Sequence, residues 1–219
     1  MGGVRAVRDV SLFCDDGDML GIIGPNGAGK TTLFNAICGF VRPDAGSSIR
    51  WSGREITGWR PERIARTRLL RTFQNGGGVL GLTVRENLEL AARDRRSPRL
   101  APVLERLRLT DQAERPVADC SLATRKLVGI AQAVVRDPVL LMLDEPLAGL
   151  DHTDREAVVD VIRDVHAGGV TVIFIEHDIE RTLRLATRIV ILDTGEKIAD
   201  GLASAVSSQD DFHRAYLRG

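Results

Sequence analysis

Residues Gly24 to Thr32, GPNGAGKTT, hold the densest run of positions able to do chemistry in this chain. Their spacing is G-x-x-x-x-G-K-T: Gly24, then Pro25, Asn26, Gly27 and Ala28, then Gly29, Lys30 and Thr31, with Thr32 after them. The chemistry this suits is phosphate binding. Glycines let the backbone curl so that successive N–H groups face anionic oxygens. The start of a following helix adds unpaired donors and a positive dipole end. Lys30 is a point charge for the β and γ phosphates, and the Thr31 hydroxyl is placed for Mg2+. Four fixed positions with the right flanks set the pattern apart from a plain glycine turn. Those flanks are apolar Met19–Ile23, read as a strand, and Leu33–Cys38, read as a helix that Gly39 stops.

Two carboxylates and a histidine extend the site. Val139–Asp144 is a continuous apolar run, which predicts a strand buried on both faces of a parallel sheet. Asp144 and Glu145 stand at its C-terminal end, where open α/β sheets bind ligands. Asp144 can hold Mg2+ through water, and Glu145 can reach an attacking water as general base. His177 follows a second apolar run, Val170–Ile175. A lone histidine there is more often structural. With the glycine loop and the acidic pair in the same sheet, a γ-phosphate contact is the better reading. His152, His166 and His213 have no such context.

The elements that must position these groups follow from periodicity. Residues 4–13 alternate enough to predict a strand ending at the turn Asp15–Asp18. Ser48–Ser52 reads as a short strand. Residues 61–70 read as a short helix, and the run of arginines 63, 66, 68 and 71 reads as a solvated face. Arg71–Gln74 reads as a strand end, and Asn75–Gly78 as a flexible break. Thr83–Asp94 predicts a helix capped by Thr83, with Glu86 three residues on. A further helix is expected at 100–108. Ser121 precedes another, with Leu127, Ile130, Ala131 and Val134 on one face. Residues 154–166 are amphipathic, and 188–193 with 196–200 read as a hairpin. Strands alternating with helices predict an α/β fold with a parallel sheet.

Composition narrows the function. A chain of 219 residues can hold one α/β domain with a sizeable core. Lys+Arg and Asp+Glu are 30 each, so no overall field favours nucleic acid or an acidic membrane. Three of the basic residues are lysines: 30, 126 and 197. Cys14, Cys38 and Cys120 form no CxxC and read as small packing residues of a reduced protein. The apolar runs are too short to span a bilayer, and no signal peptide is evident. Action at a membrane would therefore go through a partner.

In this order the pieces resemble the nucleotide-binding subunit of an ATP-binding cassette (ABC) transporter, over nearly the whole chain. GPNGAGKTT matches the Walker A loop, Gln74 the Q-loop glutamine and VLLMLDE (139–145) the Walker B strand with its catalytic glutamate. LAGLD (147–151) matches the D-loop, ending at Asp151, and His177 the switch histidine. TTLFNAICGF, ITGWRPERIAR, RTFQN, LTVRENL and IEHD look like the branch that imports branched-chain amino acids, with urea importers close by. The resemblance implies a RecA-like P-loop NTPase core, 1–74 with 136–219, a small antiparallel β part and an inserted α-helical subdomain, 75–135. It implies ATP and Mg2+ as cofactors, with Thr31, Gln74 and Asp144 at the metal. It also implies transmembrane permease subunits, a second ABC ATPase subunit and, indirectly, a solute-binding protein as partners. The place implied is the cytoplasmic face of the cell membrane, peripheral, and no nucleic acid is expected. The alternatives are a cassette ATPase not tied to a permease and a low-activity regulatory half of an asymmetric pair.

Two departures from the family pattern stand out. The family signature, roughly LSGGQ, falls on Cys120-Ser-Leu-Ala-Thr124. Ser121 is kept and would serve the partner's ATP from a helix N-terminus. Ala123 replaces a glycine where backbone and phosphate approach closely, and Thr124 replaces the glutamine. The second departure is at the start. The aromatic that stacks on adenine belongs just before Gly2-Gly3 and is missing here. Stacking is worth about 1–3 kcal/mol, so weaker ATP binding by roughly tenfold to a hundredfold is expected, unless the aromatic is encoded in frame upstream of Met1.

Overall fold

The chain divides into two compact units: Met1–Leu69 with Val172–Gly219, and Leu70–Thr171. The computed structural model describes residues 5–73 and 77–206. Gln74 and the first four residues therefore lie outside the described residues.

In the first unit, β1 (Met19–Ile23) leads through the glycine loop into α1 (Lys30–Ile37). A small antiparallel hairpin follows, β2 (Arg50–Trp51) with β3 (Arg54–Glu55), then α2 (Pro61–Ala65). The chain returns with β6 (Thr171–Glu176), α7 (Ile179–Leu185), β7 (Arg188–Asp193), β8 (Glu196–Leu202) and α8 (Ala203–Val206). β1 lies between β6 and β7 and runs parallel to both, while β8 is antiparallel to β7. Every residue of β1 and β6 is buried. That double-sided burial is why these runs are apolar without alternation.

The second unit opens with β4 (Leu69–Arg71), which carries the chain across from the first. It continues with α3 (Val84–Ala92), α4 (Leu100–Arg106), α5 (Leu122–Val134), β5 (Leu140–Asp144) and α6 (His152–Ala167). α5 is the hub, in contact with α3, α4 and α6. Its face of Leu127, Ile130, Ala131 and Val134 is buried, as the spacing predicts. β5 is buried along its whole length, and Thr72 N donates to Met142 O. The α3 start is a full capping box: Thr83 Oγ1 accepts from Glu86 N at 3.1 Å, and Thr83 N donates to Glu86 Oε2 at 2.8 Å. Residues 77–83 are held by Asn87, which is fully buried and donates to the carbonyls of Val79, Leu82 and Thr83.

Some expectations are corrected. Residues 5–14 form no strand. Asp9 sits at φ 47, outside extended geometry, and Arg8 N donates to Gly195 O instead of joining a ladder. The helix expected over 61–70 stops at Ala65. Arg68 turns the backbone at φ 69, and Leu69-Leu70 enter β4 as buried strand residues. α1 starts at Lys30 rather than Leu33, so Lys30, Thr31 and Thr32 form its first turn. α6 begins two residues earlier than its apolar pattern shows, because Asp151 caps it. Among the described residues no helix is long and apolar enough to cross a membrane.

Candidate nucleotide site

The glycine loop is shaped by two close approaches. A side chain on Gly24 would put its Cβ 2.2 Å from Leu192 O in β7, and one on Gly29 would sit 2.2 Å from Ala6 O. Gly29 also has φ 96, in the left-handed region. Within the loop Ala28 N donates to Pro25 O at 3.1 Å, and Gly195 N donates to Ala28 O at 3.2 Å. Asn26 and Gly27 lie on the exposed crest. The loop thus rests on the β7–β8 turn and on residues 6–7. Those supports come from both ends of the chain.

Lys30 is buried, and its ammonium curls back across the loop. Nζ donates to Gly24 O at 2.6 Å and to Pro25 O at 3.0 Å. A lysine so placed is held over the inner wall of a backbone nest. Thr31 is exposed and Thr32 half-buried in the first turn of α1. The first-turn amides of a helix have no intrahelical acceptor, and α1 carries no acidic residue there to compete for them. An anion is the natural complement.

His177 joins this loop through strand register. β1 and β6 run parallel with Ile23 opposite Glu176, so Gly24 and His177 leave the sheet on adjacent strands at the same level. The His177 side chain is largely exposed, with Nδ1 3.9 Å from the buried Glu176 carboxylate. Asp178 then caps α7 by accepting from Arg181 N.

The remaining candidates belong to the second unit. Asp144 ends β5 and is buried. Its Oδ2 accepts from Arg71 Nη2 at 2.6 Å. Glu145, the next residue, has φ 48, a strained value for a residue with a side chain. Its carbonyl accepts from Lys126 Nζ at 2.9 Å and from Ala148 N at 3.3 Å. Ser121 caps α5: its Oγ accepts from Thr124 N and lies 3.1 Å from the Thr124 hydroxyl. Ser121 is exposed, whereas Ala123 is buried, so its Cβ packs inside the unit. Asp151 Oδ1 accepts from Asp154 N at 2.9 Å as the cap of α6.

Two residues with no role in the sequence reading emerge here, Arg71 and Lys126. The signals were present but weak. The charge run groups Arg71 with a solvated face, whereas its side chain is buried, because Arg71 ends β4 and pairs with Asp144; Lys126 is one of three lysines in an arginine-rich chain. Neither periodicity nor motif spacing said what they touch.

A strand, a glycine loop and a helix N-terminus bearing a lysine define a phosphate-binding α/β protein of the nucleotide-hydrolysing kind. Comparison with known proteins narrows that class. The family profile described as ABC transporter matches residues 7–148. Over 99% of this chain it is 35% identical to the high-affinity branched-chain amino acid transport ATP-binding protein BraF of Pseudomonas aeruginosa, covering 93% of that protein. It is 32% identical to LivG of Escherichia coli, with the same coverages and the same description. Among solved structures, the ADP conformation of MJ1267, an ATP-binding cassette of an ABC transporter, superposes with TM-score 0.87. That similarity is 28% identity over 98% of this chain and 93% of that one. A nucleotide-free ATP-binding cassette matches with TM-score 0.84 and 27% identity, over 98% and 90%. The chain belongs to the ABC transporter family. It is an ATP-binding, ATP-hydrolysing cassette with a RecA-like P-loop core, and its relatives are subunits of transporters.

Proposed function

We propose that this chain is the ATPase subunit of an importer for branched-chain amino acids, driving a separate transmembrane permease from the cytoplasmic face of the membrane. The observation that carries this reading is the near full-length similarity to BraF and LivG, both of that transport class. The permease would supply the membrane span, consistent with the absence of a spanning helix among the described residues. The second unit leaves Phe73, Val79, Leu80 and Leu90 exposed, large apolar side chains suited to a protein partner.

In this reading Gly24–Thr32 hold the nucleotide phosphates, with Lys30 exchanging the loop carbonyls for phosphate oxygens. Glu145 acts as general base toward water, and His177 contacts the γ-phosphate. Gln74 couples the site to the permease. Ser121 and Asp151 serve the nucleotide held by a second cassette. The donor chemistry of Thr31, Gln74 and Asp144 is all oxygen, which fits Mg2+. When bound, Mg2+ would neutralise charge on the β and γ phosphates.

The test is Glu145→Gln in the assembled transporter. ATP binding should persist while turnover falls by about a hundredfold or more, the scale of a lost general base. Turnover at the unsubstituted rate would remove Glu145 from that role. Purification from native membranes, followed by ATPase assays with leucine, isoleucine and valine, tests the substrate class. Stimulation by an unrelated solute alone would sink it.

A further inference from the structure

We infer that Arg71 is the positioning residue for Asp144, so that magnesium-dependent nucleotide binding is tuned from β4. This rests on the proposed role of Asp144 at the metal. The geometry is confined to the second unit. Arg71 Nη2 donates to Asp144 Oδ2 at 2.6 Å, and the two side chains are 6% and 4% exposed. Among the described residues, Arg71 is the side-chain hydrogen-bond partner of Asp144.

A buried charge pair of this kind is costly to form and costly to break by halves, because the survivor stays charged away from water. The contact is a single one, Nη2 to Oδ2, and an always-charged guanidinium buried beside it limits how the carboxylate can turn. With Oδ2 taken, Oδ1 is the oxygen left for the water shell of a cation. Partners that orient a metal-site carboxylate in this way set metal affinity without touching the metal.

Arg71 is also tied to the stretch that leads towards Gln74. It ends β4, Thr72 N donates to Met142 O in β5, and the Arg71 guanidinium lies 5.4 Å from the exposed Phe73 ring. A displacement of residues 72–73 would therefore act on Asp144 through one side chain.

The experiment is a Mg2+ titration of AMP-PNP binding to the full chain, with Arg71→Met, Arg71→Lys and Asp144→Asn. Arg71→Met should leave Mg2+-free affinity within about twofold, since the inference routes the effect of Arg71 through the metal. It should raise the Mg2+ concentration for half-maximal enhancement by about 10–100-fold. Arg71→Lys, which keeps the charge but not the fork, should restore part of the shift. A midpoint that stays or falls in Arg71→Met, while Asp144→Asn raises it, overturns the role of Arg71 alone. A midpoint unmoved by Asp144→Asn overturns the metal reading of Asp144 and this inference with it. If Arg71→Met does not fold, Arg71→Lys decides: a midpoint equal to the parent's rejects the inference.

Discussion

Individual side chains show how environment decides chemistry. Cys14 is half-buried, and its thiol is pushed up to about 12. Burial is the main cause, and the Asp18 carboxylate adds to it; Arg188 opposes them without prevailing. The thiolate is the reactive form, so raising the pKa from 9.0 to about 12 removes roughly three orders of magnitude of nucleophile. Cys14 should therefore alkylate with iodoacetamide at pH 8 far more slowly in the folded chain than in urea. Mass spectrometry of the labelled peptide checks this, and equal rates would refute it. Composition alone made Cys14 a packing residue. That its thiol is also silenced, mainly by burial and further by the Asp18 carboxylate, needed the fold. Lys30 gives the converse case. The motif named it, yet its resting hydrogen bonds to Gly24 O and Pro25 O depend on how the loop curls.

Elements matter here through what their ends hold. α5 begins at Ser121 and buries Lys126 one turn further in, with Nζ donating to the carbonyl of Glu145. Glu145 is at φ 48, a conformation that costs about 1–3 kcal/mol and needs support from its surroundings. A charged hydrogen bond worth about 1.5–3 kcal/mol is support of that size. One helix thus carries both the signature segment and a brace for the proposed base. Lys126→Met should lower turnover in the assembled transporter by roughly tenfold, with nucleotide affinity kept within about twofold. A fall in affinity without loss of turnover would contradict the brace. The helix itself was legible from its apolar face and its Ser121 cap. The brace was not, because a lysine in a helix pattern reads as solvent-facing and local spacing gives no hint of burial.

For the whole molecule, the altered signature is the feature that bears on assembly. Ser121 is engaged by Thr124 through both its backbone N–H and its hydroxyl. A glutamine in place of Thr124 would lack that short hydroxyl contact. Ala123 adds a buried methyl where the family pattern has glycine. The double substitution Ala123→Gly with Thr124→Gln should raise ATPase activity of the assembled complex, read as phosphate release per complex at saturating ATP. An unchanged rate would show that the CSLAT segment is tolerated. If activity rises, the regulatory-half alternative gains over a fully active cassette.

By itself the sequence determined the strand, glycine loop and helix unit, the buried strands, the capped helices and the family. These rest on local rules: fixed spacings, helix period, unbroken apolar runs and side-chain caps within three residues. Of the strand expected at 4–13, the described residues 5–13 form none, since alternation without a strand partner makes no strand. The sequence also misread 61–70, where buried Leu69-Leu70 obey the sheet rather than the helix. The tertiary structure alone decided the contacts between distant residues. Gly24 meets Leu192, Gly29 meets Ala6, Lys126 braces Glu145, and Arg71 holds Asp144 across 73 positions. Such pairs depend on which strands and helices pack side by side, and packing is set by the whole core rather than by any window of residues.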